Sequence, residues 1–137
     1  MQVTVNYMSV LIAAVVYMVL GFLWYGPILG KPWMKLVGMT ANDMEESKKK
    51  GMGKIYALAF LTSLIMSYVL AHFVAYVGAK TIADGSILGF WLWIGFFATT
   101  QLGMVMWEGK PVKLYFLNTL HYLVALAVMA SILAVWH

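Results

Sequence analysis

Six side chains of this sequence combine types and spacing that could act on a ligand: Thr99, Thr100, Gln101, Asn118, His121 and Tyr122. Hydroxyl, amide, imidazole and phenol groups supply hydrogen-bond donors and acceptors without a fixed charge. Asn118 and His121 are three apart, so on a helix they are surface neighbours. A turn centred near Lys110 separates them from Thr99, Thr100 and Gln101, and residues equidistant from that turn share a depth. His121 thereby pairs with Thr99 and Thr100, with Gln101, Asn118 and Tyr122 within about one helical turn. Two uses of this set are open. It can knit helices together by hydrogen bonds, or line a polar pocket or path for a small neutral or apolar molecule.

Harder chemistry has little support. Hydrolysis needs a base, an activated nucleophile and a group that orients the base. His121 with Thr99, Thr100 or Tyr122 lacks an orienting carboxylate at its depth, so no enzyme and no catalytic residue is expected. Cysteine is absent, which excludes disulfides, thiolate nucleophiles and cysteine metal sites. No His-Glu-x-x-His spacing occurs, and the eleven methionines are scattered, so they read as apolar filling and no metal is expected. His72 lies 18 residues beyond Lys54 and His121 only 8 beyond Lys113. Their depths differ by about 15 Å, which rules out a haem held by both within one chain. No cofactor is expected.

The elements that position these residues follow from composition. Hydrophobic residues make up 64% of 137 positions and charged residues 10%, with a mean hydropathy of +0.86. A soluble domain carries about 25% charged residues. Charge-free stretches cover 7–29, 55–79, 85–107 and 114–136. Each is long enough to cross a hydrocarbon core of about 30 Å as a helix. The expectation is an all-α, four-helix transmembrane bundle forming one integral membrane domain over 1–137. A soluble enzyme, a disordered tail and a secreted disulfide scaffold are excluded. The first stretch follows no basic segment and exceeds a cleaved signal core, so it is expected to stay as a span.

Orientation follows from the lysines. All nine basic residues are lysines, and eight of them lie in the connections at 30–54 and 108–113, against Lys80 alone at the other end. The positive-inside rule puts both termini outside and the lysine-rich connections in the cytoplasm. Trp24, Tyr25, Trp33, Trp107 and Tyr115 then mark the inner boundary, and Tyr7, Tyr76 and Trp136 the outer one. A net charge of +4 placed beside membrane spans suits anionic lipid rather than nucleic acid, with Lys48, Lys49, Lys50 and Lys54 as the expected lipid contacts. Within 30–54, Lys31 to Val37 reads as a short interfacial helix opened by Pro32. Thr40-Ala41-Asn42-Asp43 resembles a capping box for a second helix. Asp84 or Ser86 can cap the third span.

At 100° per residue each span shows a packing face. Gly85, Gly89, Gly95, Thr99 and Gly103 form a small-residue stripe on the third span. Ser63 and Ser67 mark a second such face. Val10, Ala14, Tyr17, Gly21, Trp24 and Ile28 form a seam on the first span. Gln101 projects about 160° from the glycine stripe. One of these faces can pack within four helices and the other would look outward, so a homo-oligomer is expected; the alternative is Gln101 between the first and fourth spans with the glycines against lipid. The second and fourth spans also align without gaps at seven of eighteen positions from Lys54 and Lys113. That similarity suggests a duplicated two-helix hairpin repeated in the same orientation.

The run Gly21-Phe22-Leu23-Trp24-Tyr25-Gly26-Pro27, with Gly30-Lys31-Pro32-Trp33-Met34, resembles small prokaryotic membrane proteins grouped as domain of unknown function 1761. Thr99-Thr100, Trp107-Glu108-Gly109-Lys110-Pro111 and the segment from Asn118 to Tyr122 share the resemblance, which spans nearly the whole chain. It implies four membrane helices, a prokaryotic cytoplasmic membrane and no assigned activity. The function class expected is a non-enzymatic scaffold or accessory subunit acting through helix packing, for which an unidentified membrane partner is one option. The alternative is a channel, transporter or pocket for a small neutral or apolar molecule.

Overall fold

The structure is a computed structural model that describes residues 2–137. Its helices are α1 (Tyr7–Leu23), α2 (Gly30–Val37), α3 (Ala41–Lys49), α4 (Gly53–Val77), α5 (Ile82–Leu92), α6 (Ala98–Gln101), α7 (Gly103–Met106) and α8 (Val112–Val135). The fold is all-α, with no strand among the described residues. Four segments are long and apolar enough to cross a membrane: Tyr7–Ile28, Gly53–Val77, Ile82–Met106 and Val112–Val135. Their bounds differ from the charge-free stretches by a few residues.

Local chemistry sets the ends. Asn6 caps α1 by accepting from the Met8 and Ser9 N–H groups at 3.0 and 3.3 Å. The capping box expected at Thr40 forms: Asp43 N–H donates to Thr40 Oγ1, and Thr40 N–H donates to Asp43 Oδ2 at 2.8 Å. The Thr40 backbone N–H, with its hydroxyl, holds the Asp43 carboxyl below the usual carboxylate range. The third span starts three residues earlier than expected, and neither Asp84 nor Ser86 is its N-cap. Thr81 caps it, and Asp84 closes the same reciprocal box from inside the first turn. The cap thus lies three residues upstream of Asp84, which is the N3 member of the box.

The four spans are not equivalent. α8 is the central helix, packed against α1, α4 and α5. It contributes Leu117, Thr119, His121, Ala125, Leu126, Met129 and Ala130 to the buried set, so more than one of its faces is covered. α5 packs mainly on α8, backbone to backbone. A Cβ on Gly85 would lie 2.6 Å from the Ser131 backbone, and one on Gly89 would lie 2.8 Å from the Ala127 nitrogen. Only glycine admits that approach. Ser63 and Ser67 are fully buried on α4, and Ser67 Oγ donates to the Val10 carbonyl of α1 at 2.8 Å. Both termini and the Gly78–Lys80 turn line one cleft, which puts the two chain ends at the same end of the bundle.

Two π-helical turns decide which residues face inward. The first, Trp24–Ile28, contains Pro27, which has no N–H and displaces the regular hydrogen-bond ladder. Leu29 N–H reaches back five residues to the Trp24 carbonyl at 2.9 Å. Ile28, expected in the α1 seam, is turned out and 62% exposed. The second π turn, Trp93–Phe97, adds one residue to the third span. Everything beyond it is rotated back by about 100° relative to a straight helix. Gly85 and Gly89, before the turn, stay on α8. Gly95 and Gly103 leave it: a Cβ on Gly95 would meet nothing within 4 Å, and one on Gly103 would meet only Trp107 of the adjacent turn. The expected continuous stripe is therefore broken in the middle.

Candidate functional site

The second π turn carries Gln101 to the other side of its helix. The rotation takes it from about 160° off the glycine face to about 60°. There it is half-buried beside α8, with Thr119 Oγ1 at 3.5 Å from its Oε1. Gln101 therefore no longer asks for a second copy, and the outward Gly95 and Gly103 are the part of the small-residue stripe left for such a contact. Thr99 and Thr100 go the other way. Both are exposed, and their hydroxyls donate to carbonyls of their own span: Thr99 to Gly95 at 2.6 Å and Thr100 to Phe96. They satisfy backbone groups at the π turn and do not meet His121. Their azimuth on the third span, outward rather than toward α8, keeps them from the imidazole.

His121 faces α1 instead. It is 4% exposed, and four aromatic rings surround it. Ring centroids of Tyr25 and Tyr122 lie 5.2 Å away, that of Tyr17 5.7 Å and that of Trp24 5.9 Å. Gly21, from the expected packing set, leaves space on the Nε2 side; a Cβ there would stand 3.9 Å from that nitrogen. Neither Nδ1 nor Nε2 has a hydrogen-bond partner. A neutral imidazole carries one donor and one acceptor nitrogen, and a buried unmet polar group costs about 1–3 kcal/mol.

The cage is held in place from both sides. Trp24 Nε1 donates to the Leu117 carbonyl at 3.0 Å, and Trp93 Nε1 donates to the Thr119 carbonyl at 2.7 Å, so two indoles grip one turn of α8 from opposite sides. Tyr25 donates its phenolic hydrogen to Asn118 Oδ1 at 2.8 Å. Beyond that bond opens a cleft of about 550 Å³, lined by Tyr25, Trp33, Gln101, Met104, Asn118 and Tyr122. Trp33 comes from α2, which folds back under the first π turn. Gly30 permits that return, since a Cβ there would lie 2.8 Å from the Tyr25 carbonyl oxygen. Trp33 then stacks edge-on against Tyr25 at 5.6 Å.

Of the six residues singled out in sequence, three line this cleft (Gln101, Asn118, Tyr122) and His121 lies behind it. Sequence reasoning missed Tyr17, Trp24, Tyr25 and Trp33 as site residues. The first two were visible as a packing seam and the last two as boundary aromatics. What the spacing could not show is that the first span, α1 and the π turn after it, supplies three of the rings around His121. Lys48, Lys49 and Lys50 follow or end α3 and are solvent-exposed, as is Lys54 in the first turn of α4. Among the described residues no group of three or more His, Asp or Glu side chains is placed to hold a metal ion.

A family model for proteins of unknown function, DUF1761, matches residues 8–134. The chain belongs to the DUF1761 family. No curated protein and no solved structure matches it. The match runs from the second residue of α1 to the last turn of α8, so the π turns, the α2 return and the His121 cage all lie within the family's extent.

Proposed function

We propose that this DUF1761 protein binds a small uncharged amphiphile in the cleft beneath α2, without acting on it chemically. The observation that carries this reading is His121, buried and unpartnered one side chain away from an open cleft. Native structures leave few buried polar groups unmet, and an unmet one asks for a ligand, water or ion. Tyr25 stands between the imidazole and the cleft. Swinging its ring aside on ligand entry would give His121 a partner and free Asn118 Oδ1. Of the two uses open in sequence, this geometry favours the pocket over a scaffold working through helix packing alone. The cleft reaches only the lysine-rich half; Val10, Leu70, Val74, Met129 and Leu133 fill the half toward the termini. That supports binding from one side rather than a continuous pore.

The test uses purified protein in mild detergent and a panel of uncharged amphiphiles differing in head group, a monoacylglycerol and a long-chain alcohol among them. At least one is expected to raise the melting temperature saturably, and Gln101→Leu to abolish the rise. No saturable rise with any member, or a rise unchanged in Gln101→Leu, would return the function to the scaffold reading.

The setting we propose is a prokaryotic cytoplasmic membrane with both termini outside, on the lysine asymmetry. Cysteine introduced at position 2 or 137 should react with impermeant reagents in intact cells, and cysteine at position 48 should not; the opposite pattern inverts the topology. The exposed lysines of α3 and the start of α4 would then face anionic lipid. A duplicated hairpin is supported by the aligned second and fourth spans, although α1 packs on α8 while α4 and α5 are separated by a groove.

A further inference from the structure

The chemistry of the cleft and of a neighbouring groove names a class of ligand, on the footing that the cleft is a binding site. The cleft lining contains no lysine, aspartate or glutamate. A phosphate head would lose its water there and gain no counter-charge, which disfavours phospholipids. What the lining offers is flat aromatic surface from Tyr25, Trp33 and Tyr122, and amide groups from Gln101 and Asn118. Asn118 accepts from Tyr25 with its oxygen, which leaves its NH₂ free to donate. Aromatic walls with amide donors suit a flat ring that carries carbonyl oxygens.

A second cavity continues the path. A wholly apolar groove of about 390 Å³ runs between α4 and α5, with Leu126 of α8 in its floor and Phe97 in its wall. Asn118, Tyr122 and Leu126 are spaced by four, so they lie within about 80° of arc on α8 and span about 12 Å along it. Cleft and groove are therefore two levels of one face. Phe97 lines the groove and stacks on Tyr122 of the cleft at 5.0 Å, so this ring pair is the sill between them. A molecule seated in both needs a compact flat head, one flexible apolar chain and no charge.

We propose that the occupant is a quinone-class lipid, its ring held in the cleft by the Gln101 and Asn118 amides and its isoprenoid chain laid over Phe97 into the groove. The chain enters sideways from the lipid, where the groove is open. Binding alone is assigned; no electron transfer is invoked.

Binding of a benzoquinone with a ten-carbon isoprenoid tail is measured on the detergent-purified protein by equilibrium dialysis, beside the tailless benzoquinone and a monoacylglycerol. The tailed quinone is expected to bind saturably and at least tenfold more tightly than either comparison ligand. Asn118→Leu should weaken it at least tenfold. Val69→Trp, which fills the groove, should weaken the tailed quinone and leave the tailless one unchanged. Circular dichroism and a single elution peak confirm that each variant is folded. If the monoacylglycerol binds and the tailed quinone does not, the ligand class is wrong while the binding reading stands. If neither binds and no other member of the amphiphile panel does, both fall. Equal binding with and without the tail, or by wild type and folded Asn118→Leu, overturns the assignment of head and chain.

Discussion

Gly89→Leu should leave this protein unable to form its second hairpin, whereas Gly95→Leu, six residues on, should fold like wild type. A Cβ on Gly89 would stand 2.8–2.9 Å from backbone atoms of Leu126 and Ala127, and backbone in the middle of a helix cannot step aside. Relief requires α5 and α8 to separate, and this is the closest helix contact in the bundle. Overpacking of a core typically costs about 1–3 kcal/mol, and a rigid backbone neighbour puts this site at or above the upper end. Gly95 has open space where its side chain would go. A straight-helix reading puts both glycines on one stripe and predicts similar damage. Unfolding monitored in detergent separates the two: comparable loss at both positions would mean that the π turn at Trp93–Phe97 does not form. The same pair of variants addresses self-association. If copies meet through the outward glycines, native mass spectrometry will show Gly95→Leu as a folded monomer beside an oligomeric wild type. If wild type and Gly95→Leu are both monomeric, the homo-oligomer we carry forward from the sequence is excluded.

His121→Leu should stabilise the empty protein and disable it. Leucine fills much of the imidazole's space and removes two ring nitrogens that have no partner in a fully enclosed position. Relief of an unmet buried polar group amounts to about 1–3 kcal/mol, partly offset by small losses in aromatic packing. In the same variant, binding of an uncharged amphiphile should fall at least tenfold, because the partner uncovered by Tyr25 is gone. Residues held at a stability cost for the sake of a site show this opposition of stability and function. His121→Ala is the control: it also loses binding, but opens a cavity within the aromatic cage and should destabilise. Should His121→Leu unfold more easily than wild type, the histidine is satisfied in a way the static geometry does not show, and its role is structural.

The amino-acid sequence by itself determined the four spans, the same-end placement of the termini, the α2 and α3 segments and the Thr40–Asp43 box. These depend on interactions within a few residues, or on the thickness of a hydrocarbon layer that every span must match. It also supplied the inventory of the site, since Gln101, Asn118, His121 and Tyr122 are among the polar side chains the last two spans carry at that depth, with Thr99, Thr100 and Thr119 beside them. The tertiary structure decided which of them meet. Depth along a helix accumulates at about 1.5 Å per residue and survives a small irregularity, but azimuth accumulates at about 100° per residue and does not. One extra residue at Trp93–Phe97 was enough to send Gln101 inward and Thr99, Gly95 and Gly103 outward. The sequence ran the first span straight through Pro27 to Ile28, and neither the π turn there nor the return of α2 that brings Trp33 over Tyr25 could be read from spacing. Nor could four similar apolar stretches reveal that α8 would be central and that His121 would find α1, because lipid-facing and buried positions share one composition in a membrane.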